Sequence, residues 1–244
     1  MALLERQESI LEYLKEHKRA TVKTLANILF VSEATLRRDL QELQTMGLVD
    51  RNHGGARLRE NADEISIFFR LEKNAKEKEK VASKALPNIP FFRSVFIDAS
   101  STALALAERM DLSHKTVVTN NLQTATQLAK QPNANIILLG GNLRYDSSSV
   151  AGSWTNTLLS GFSFDLMICS CASVNGNEIF ERNLDTKELK RSAFLRSKTR
   201  ILLFDHTKWE ENGSFACGRL TDFDFVFTDE APKTALPDGV NIHY

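Results

Sequence analysis

The chain has 244 residues, with 31 Lys plus Arg against 31 Asp plus Glu, and a formal net charge of zero at pH 7. Composition is that of an ordinary globular protein, with length for one small and one medium domain. A globally basic nucleic-acid binder is excluded, so any DNA affinity must come from local clusters such as Arg37, Arg38, Arg51, Arg57 and Arg59.

No apolar run approaches membrane-spanning length, and the start MALLERQESILEYL is charged too early for a signal peptide. We expect a cytoplasmic protein with no membrane partner. Cys169, Cys171 and Cys217 show no metal-ligand spacing and read as reduced, partly buried thiols.

The spacing predicts a first helix over 3–17, with Leu3, Ile10, Leu11 and Leu14 facing inward. Next comes TVKTLANILFVSEATLRRDLQEL, residues 21–43, read as two amphipathic helices around a turn at Phe30-Val31-Ser32. Thr21 and Ser32 stand where a hydroxyl caps a helix start. In the second helix Leu36, Leu40 and Leu43 fall on one face, and Ala34, Arg38, Gln41 and Thr45 point away, flanked by Thr35 and Arg37. Arg pairs with guanine edges, Gln with adenine, and Ala or Thr meets a thymine methyl, so that outer face suits a major groove. Met46-Gly47 stops the helix. Val49–Leu58 then reads as a hairpin with basic edges, carrying Arg51, His53, Gly54, Gly55 and Arg57. Three helices followed by a basic hairpin is a winged-helix order.

Glu60–Glu64 is polar and aperiodic, and reads as a linker. Arg70–Lys84 is charged and helix-prone, with Val81, Ala82 and Ala85 docking and the lysines solvated. From Ser94 onward, short β-branched and aromatic runs alternate with helical stretches. Strands are expected at Val95–Ile97, Thr116–Val118, Ile136–Leu139, Leu166–Cys169, Ile201–Phe204 and Phe225–Phe227. Helices are expected at Thr102–Met110, Leu122–Lys130, Trp154–Leu159 and Asp185–Ser197. This order indicates an α/β fold with a mostly parallel sheet.

Polar residues follow the strands. They are Asp98, Ser100, Ser101 and Thr102; Thr119, Asn120 and Asn121; Gly140 and Gly141; Ser170–Ser173; and Asp205 and Lys208. Ligands of open α/β sheets bind beyond the carboxyl ends of the strands, so these loops form a candidate small-ligand site. Hydroxyls and free N–H groups at 98–102 would seat a phosphate, Lys208 would add positive charge, and Asp98, Asn120 and Asp205 would hold sugar hydroxyls.

Ser32, Thr35-Leu36-Arg37-Arg38-Asp39-Leu40 and Arg51-Asn52-His53-Gly54-Gly55-Ala56 resemble the signature of DeoR-type bacterial transcriptional regulators. The resemblance continues through Asp98–Thr102, Thr119-Asn120, Gly140-Gly141, Gly152, Lys190-Arg191 and Asp205 with Lys208. It implies a winged helix-turn-helix domain over 1–59, a linker over 60–74 and an effector-sensing α/β domain over 75–244. The latter would be similar in fold to ribose-5-phosphate isomerase and the CoA-transferases. It further implies a homo-oligomeric repressor of sugar or nucleoside catabolism genes that binds operator DNA and a phosphorylated sugar, with no cofactor, metal or catalytic residue.

The chain departs from that pattern. Ser100 stands where the family usually has Gly. Ser170-Cys171-Ala172-Ser173 replaces Gly-Ala-Asp-Gly, which removes a carboxylate from the pocket. DNA recognition is therefore expected intact, with effector specificity altered or effector binding weakened. A second reading is an isomerase-like enzyme using Asp98 and Asp205 as acid and base. The sequence lacks a nucleophile elbow or P-loop to support it. A third is a regulator whose pocket is vestigial.

Overall fold

In a computed structural model, residues 5–45, 48–52, 54–58, 67–144, 147–209, 213–232, 235–236 and 238–244 are described. They divide into two compact units, Met1–Lys73 and Asn74–Tyr244. The expectations placed on Leu3, Met46, Gly47, His53, Arg59 and residues 60–66 lie outside the described residues.

The first unit contains α1 (Glu5–His17), β1 (Arg19–Thr21), α2 (Val22–Ile28), α3 (Glu33–Thr45), β2 (Val49–Asn52), β3 (Gly55–Leu58) and α4 (Ile67–Glu72). Its helices bury the stripes that their spacing predicts. Ile10, Leu14, Leu25, Leu36, Leu40 and Leu43 are fully buried in one apolar cluster. The helix starts are capped as expected: Thr21 Oγ1 accepts from the Thr24 N–H at 3.0 Å and Ser32 Oγ from the Thr35 N–H at 3.1 Å. Each such cap contributes about 1 kcal/mol.

The wing has three strands rather than two, in the order β1-β3-β2. Gly55 is the residue that permits this. A Cβ there would lie 2.1 Å from the Ala20 carbonyl oxygen, so only glycine lets β1 and β3 close. The charged run after the wing is two helices rather than one. Between α4 and the next helix, Asn74 takes the left-handed conformation, φ 55°. Part of the segment read as a linker is therefore helical, and within it Ile67 is buried.

The second unit contains α5 (Ala75–Ala85), β4 (Ser94–Ile97), α6 (Ser101–Ala107), β5 (Thr116–Thr119), α7 (Leu122–Leu128), β6 (Asn135–Leu138), β7 (Asn142–Arg144), β8 (Ser149–Ala151), α8 (Ser153–Ser160), β9 (Phe164–Cys169), β10 (Ser173–Asn175), β11 (Glu178–Glu181), α9 (Leu184–Leu195), β12 (Ser197–Leu203), β13 (Phe215–Arg219), β14 (Phe225–Phe227) and β15 (Ile242–His243). Seven strands form a parallel sheet in the order β15-β14-β12-β9-β4-β5-β6. The chain starts at β4, builds outward through β5 and β6, and returns to the other side of β4 with β9. The order reverses between β4 and β9, and in open α/β sheets ligands bind beyond the carboxyl ends of the strands at such a reversal.

On α5, Val81, Ala82 and Ala85 are fully buried, as their positions predict. Lys78 is only 6% exposed, against its expected solvation. The antiparallel sheet β10-β11-β13 and the hairpin β7–β8 were not anticipated. Their strands are only three to five residues long, too short to carry a periodic signal. No helix among the described residues is long and apolar enough to cross a membrane.

Candidate functional sites

On α3, the exposed residues include Ser32 at its cap, Ala34, Arg37, Arg38, Gln41 and Thr45, and Thr35 is half-buried. Ser32 and Thr35 join their hydroxyls at 2.9 Å. Arg37 is held by Glu33 at 2.6 Å, one turn back. Arg38 has no hydrogen bond or ion pair among the described residues, which leaves its guanidinium free for a partner. Asp39, within the same sequence run, is buried. It takes two bonds from Arg6, 2.6 Å from Nε and 3.0 Å from Nη2, and so ties α3 to α1. The carboxylate hydrogen bond holds the Arg6 pKa above its ordinary value.

Arg51 reaches from the wing to α3, where its guanidinium donates to the Gln41 side-chain oxygen. Two predicted readers from different elements thus meet. Arg57 pairs with Asp50 at 3.2 Å. Gly54 is exposed and its carbonyl accepts from the Val22 N–H at 2.9 Å. Gly55 is buried, and its contact with β1 explains it without DNA.

In the second unit the ends of β4 and β9 are organised by buried Lys190, carried inward by the Leu189–Ala193 face of α9. Its Nζ lies 2.9 Å from Asp98 Oδ2 and 2.7 Å from Glu181 Oε1, and it also donates to the Ser170 carbonyl. Burial alone would push the Lys190 pKa down, but the Asp98 and Glu181 charges hold it well above its ordinary value. Lys190 therefore stays protonated. Asp98 also accepts from the N–H groups of Ser100 and Ser170, both at 3.1 Å. It locks the ends of β4 and β9 together, a role its sequence position did not predict. In the sequence Lys190 is marked only by the family resemblance, and Glu181 by no motif. The available signals were a lysine on the inward stripe of α9 and an acid two residues from Ile179 in β11.

Several predicted ligand contacts prove to be helix caps. Ser100 Oγ accepts from the Ala103 N–H at 3.0 Å, and Asn121 Oδ1 from the Thr124 N–H at 2.8 Å. Thr119 Oγ1 accepts from the Asn121 N–H at 3.2 Å. Gly141, φ 149°, packs where a Cβ would lie 2.1 Å from Thr155 Oγ1. A Cβ on Gly140 would lie 3.3 Å from Leu158 Cδ1. Ser101 and Thr102 open α6 and are buried. Asp205 accepts from Asn74 at 3.1 Å and from the Thr207 N–H and hydroxyl. Burial raises its pKa, but the Thr207 hydroxyl bond, Lys208, Asn74 and Lys78 together bring it below the ordinary carboxylate value.

Asn120 differs from these. It is buried at the end of β5, its Nδ2 donates to the Val150 carbonyl at 3.1 Å, and its Oδ1 has no hydrogen-bond partner among the described residues. A buried acceptor left open at the end of the strand beside β4 suits a ligand hydroxyl or amide.

The thiols are free, and Cys169 and Cys171 are buried. Burial raises all three thiol pKa values, with Cys217 pushed up to about 12. Ligand-type atoms of His206, Asp229 and Glu230 lie within 4.8 Å of one another. Both Asp229 oxygens already accept from His206, from its N–H at 2.6 Å and against Nδ1 at 2.7 Å, which accounts for that cluster without an ion.

Residues 6–62 match the DeoR-like helix-turn-helix domain and residues 73–230 the DeoR C terminal sensor domain. The HTH-type transcriptional regulator GolR of Listeria innocua serovar 6a is 33% identical over 95% of this chain and 92% of its own length. The glycerol-3-phosphate regulon repressor of Escherichia coli K12 is 30% identical over 100% of this chain and 98% of its own. The L-fucose operon activator of the same organism is 31% identical over 92% and 94%. A solved ribose-5-phosphate isomerase in complex with phospho-erythronic acid aligns with a TM-score of 0.40 at 15% identity, over 55% of this chain and 54% of that one. On both halves of its length, the chain belongs to the DeoR family of transcriptional regulators.

Proposed function

We propose that this chain is a cytoplasmic, homo-oligomeric repressor that binds operator DNA through α3 and the wing, and changes that binding when a phosphorylated sugar binds at the strand ends of the second unit. The observation that carries the DNA half is the exposed face of α3. There Arg38 is free and Gln41 is held by Arg51, so a helix face and a wing residue form one surface. Ser32, Thr35, Arg37, His53, Gly54 and Arg57 would complete the contact. A two-fold oligomer would match paired half-sites.

The effector half draws support from the open Asn120 acceptor beside the sheet's reversal point. Ser101, Thr102 and Lys208 would receive the phosphate. Asp98 and Asp205 are engaged within the protein and would shape the site rather than serve as acid and base, which supports a regulator over an enzyme. Ligand control requires unequal affinity for two protein states.

The test is fluorescence anisotropy with DNA from upstream of the gene, at fixed salt, with and without a panel of phosphosugars. Specific binding that one sugar weakens is the expected result. Specific binding that no sugar alters would remove the effector half. Turnover of a phosphosugar without DNA binding would replace the whole reading with the enzyme.

A further inference from the structure

The wing sheet carries basic residues that the helix-turn-helix pattern does not include. In register across β1, β3 and β2, Arg19 stands opposite Arg57, and Arg57 opposite Asp50. Residues paired this way share one face of the sheet and lie close together. Asp50 compensates Arg57 at 3.2 Å. Arg19, on the outer strand, is placed directly opposite a like charge. The side chains of Arg19 and Lys18 have no hydrogen bond or ion pair among the described residues. Like charges directly opposite destabilise a sheet.

Lys18, Arg19, Arg51 and Arg57, with His17, Asp50 and Asn52, line a cleft of about 560 Å³. Three of these basic residues, Lys18, Arg19 and Arg57, stand with one acid, Asp50, in a chain whose formal charge is zero. Arg51 is both a wall of this cleft and the donor to Gln41 on the exposed face of α3. The cleft and the reading face of α3 thus meet at one residue of β2, Arg51.

We propose that Lys18 and Arg19 bind phosphodiester groups of the DNA backbone flanking the bases read by α3. This extends the contact beyond the helix-turn-helix and the hairpin tip, and it rests on the operator-binding reading above. Phosphate contacts set register and affinity and carry no sequence information directly. They supply the local charge that a neutral chain otherwise lacks. A competing role for charges on an outer strand is to block edge-to-edge pairing. That role would not change with salt in a DNA titration.

The test is anisotropy of the full chain with its upstream DNA and with a scrambled duplex, across a salt series. The variants are wild type, Lys18→Asn with Arg19→Gln, Arg19→Lys, and Arg38→Ala. Asn is chosen at position 18 because that residue has φ 62°, which Asn tolerates. We expect the slope of log K against log salt to fall by about 2 in the double variant, close to one counterion-release step per lost contact. Affinity for both duplexes should fall by the same factor, so the specificity ratio holds, and Arg19→Lys should keep the wild-type slope. The melting temperature of the double variant should not drop, because a like-charge opposition has been removed and Asn suits the backbone at position 18.

An unchanged slope in the double variant, with specificity lost in Arg38→Ala, would overturn the inference and leave the regulator standing. A wild-type chain that binds no DNA would overturn both.

Discussion

Lys190 Nζ lies 2.9 Å from Asp98, although 92 residues separate the two in the chain. The pair joins α9 to the end of β4, and Glu181 adds a second carboxylate from β11 at 2.7 Å. Three elements are pinned by one ammonium group. Lys190→Met removes the ammonium group that the buried carboxylates of Asp98 and Glu181 share. Breaking a buried pair in this way costs about 3–5 kcal/mol. Urea unfolding should report that loss; a loss below about 1 kcal/mol would mean that solvent or a neighbour already compensates the acids.

Asp39 and Arg6 make the equivalent tie in the first unit. Asp39→Ala leaves Arg6 without its partner and loosens α3 from α1. We expect about 2–3 kcal/mol of destabilisation from the lost charge-assisted bonds. DNA affinity should fall with it, although Asp39 is buried and reaches no base. Circular dichroism melts of the variant should show the loss before any binding assay does.

Arg38→Ala removes a free guanidinium from the reading face. Its cost should appear in discrimination between operator and scrambled DNA, at about 1–3 kcal/mol. Arg37→Ala should cost less, because Arg37 is already paired with Glu33 at 2.6 Å. Equal losses in the two variants, measured by competition anisotropy, would contradict this ranking.

The thiols should resist modification. Burial holds Cys169 and Cys171 protonated and raises Cys217 to about 12. A thiol reagent at pH 8 should therefore label the native protein slowly and all three cysteines at once after denaturation. A raised folded pKa also means that the folded state retains protons the unfolded state loses. This contribution to stability is full below about pH 8.5, the ordinary thiol value, and declines as pH rises above it.

Asp165 sets an acid limit. The Lys198 hydrogen bond at 2.8 Å and the N–H groups of Arg93 and Ser94 bring its pKa to about 2. The folded pKa lies below the unfolded one. Its contribution is thus present above about pH 4 and is lost as pH falls toward 2. Asp165→Asn should flatten that part of the stability profile in a pH series of thermal melts.

The parallel sheet was legible because its central strands are buried on both faces and read as runs such as Val95-Phe96-Ile97 and Leu166-Met167-Ile168. The leucine stripe of α3 was legible for the same reason, since burial imposes a period. What was not legible depends on pairing between distant segments. The β10-β11-β13 sheet brings Glu178 opposite Arg219, and no local pattern announces that partnership. The strand-end polar residues illustrate the limit from the other side. Ser100 and Asn121 are there to cap helices, whereas Asn120, next to Asn121 in sequence, leaves an acceptor open. Residue type alone does not separate those roles. The direction of one carbonyl does.

The reversal of strand order at β4 has a consequence for synthesis on the ribosome. The strands β4, β5 and β6 emerge within 45 residues, from Ser94 to Leu138, and can pair as they appear. The other flank of β4 must wait for β9, whose Leu166 pairs with Val95. Until then a central strand with the apolar run Val95-Phe96-Ile97 presents an unpaired edge on the nascent chain. That edge is the surface a chaperone would shield, and the place where two unfinished chains would first stick together.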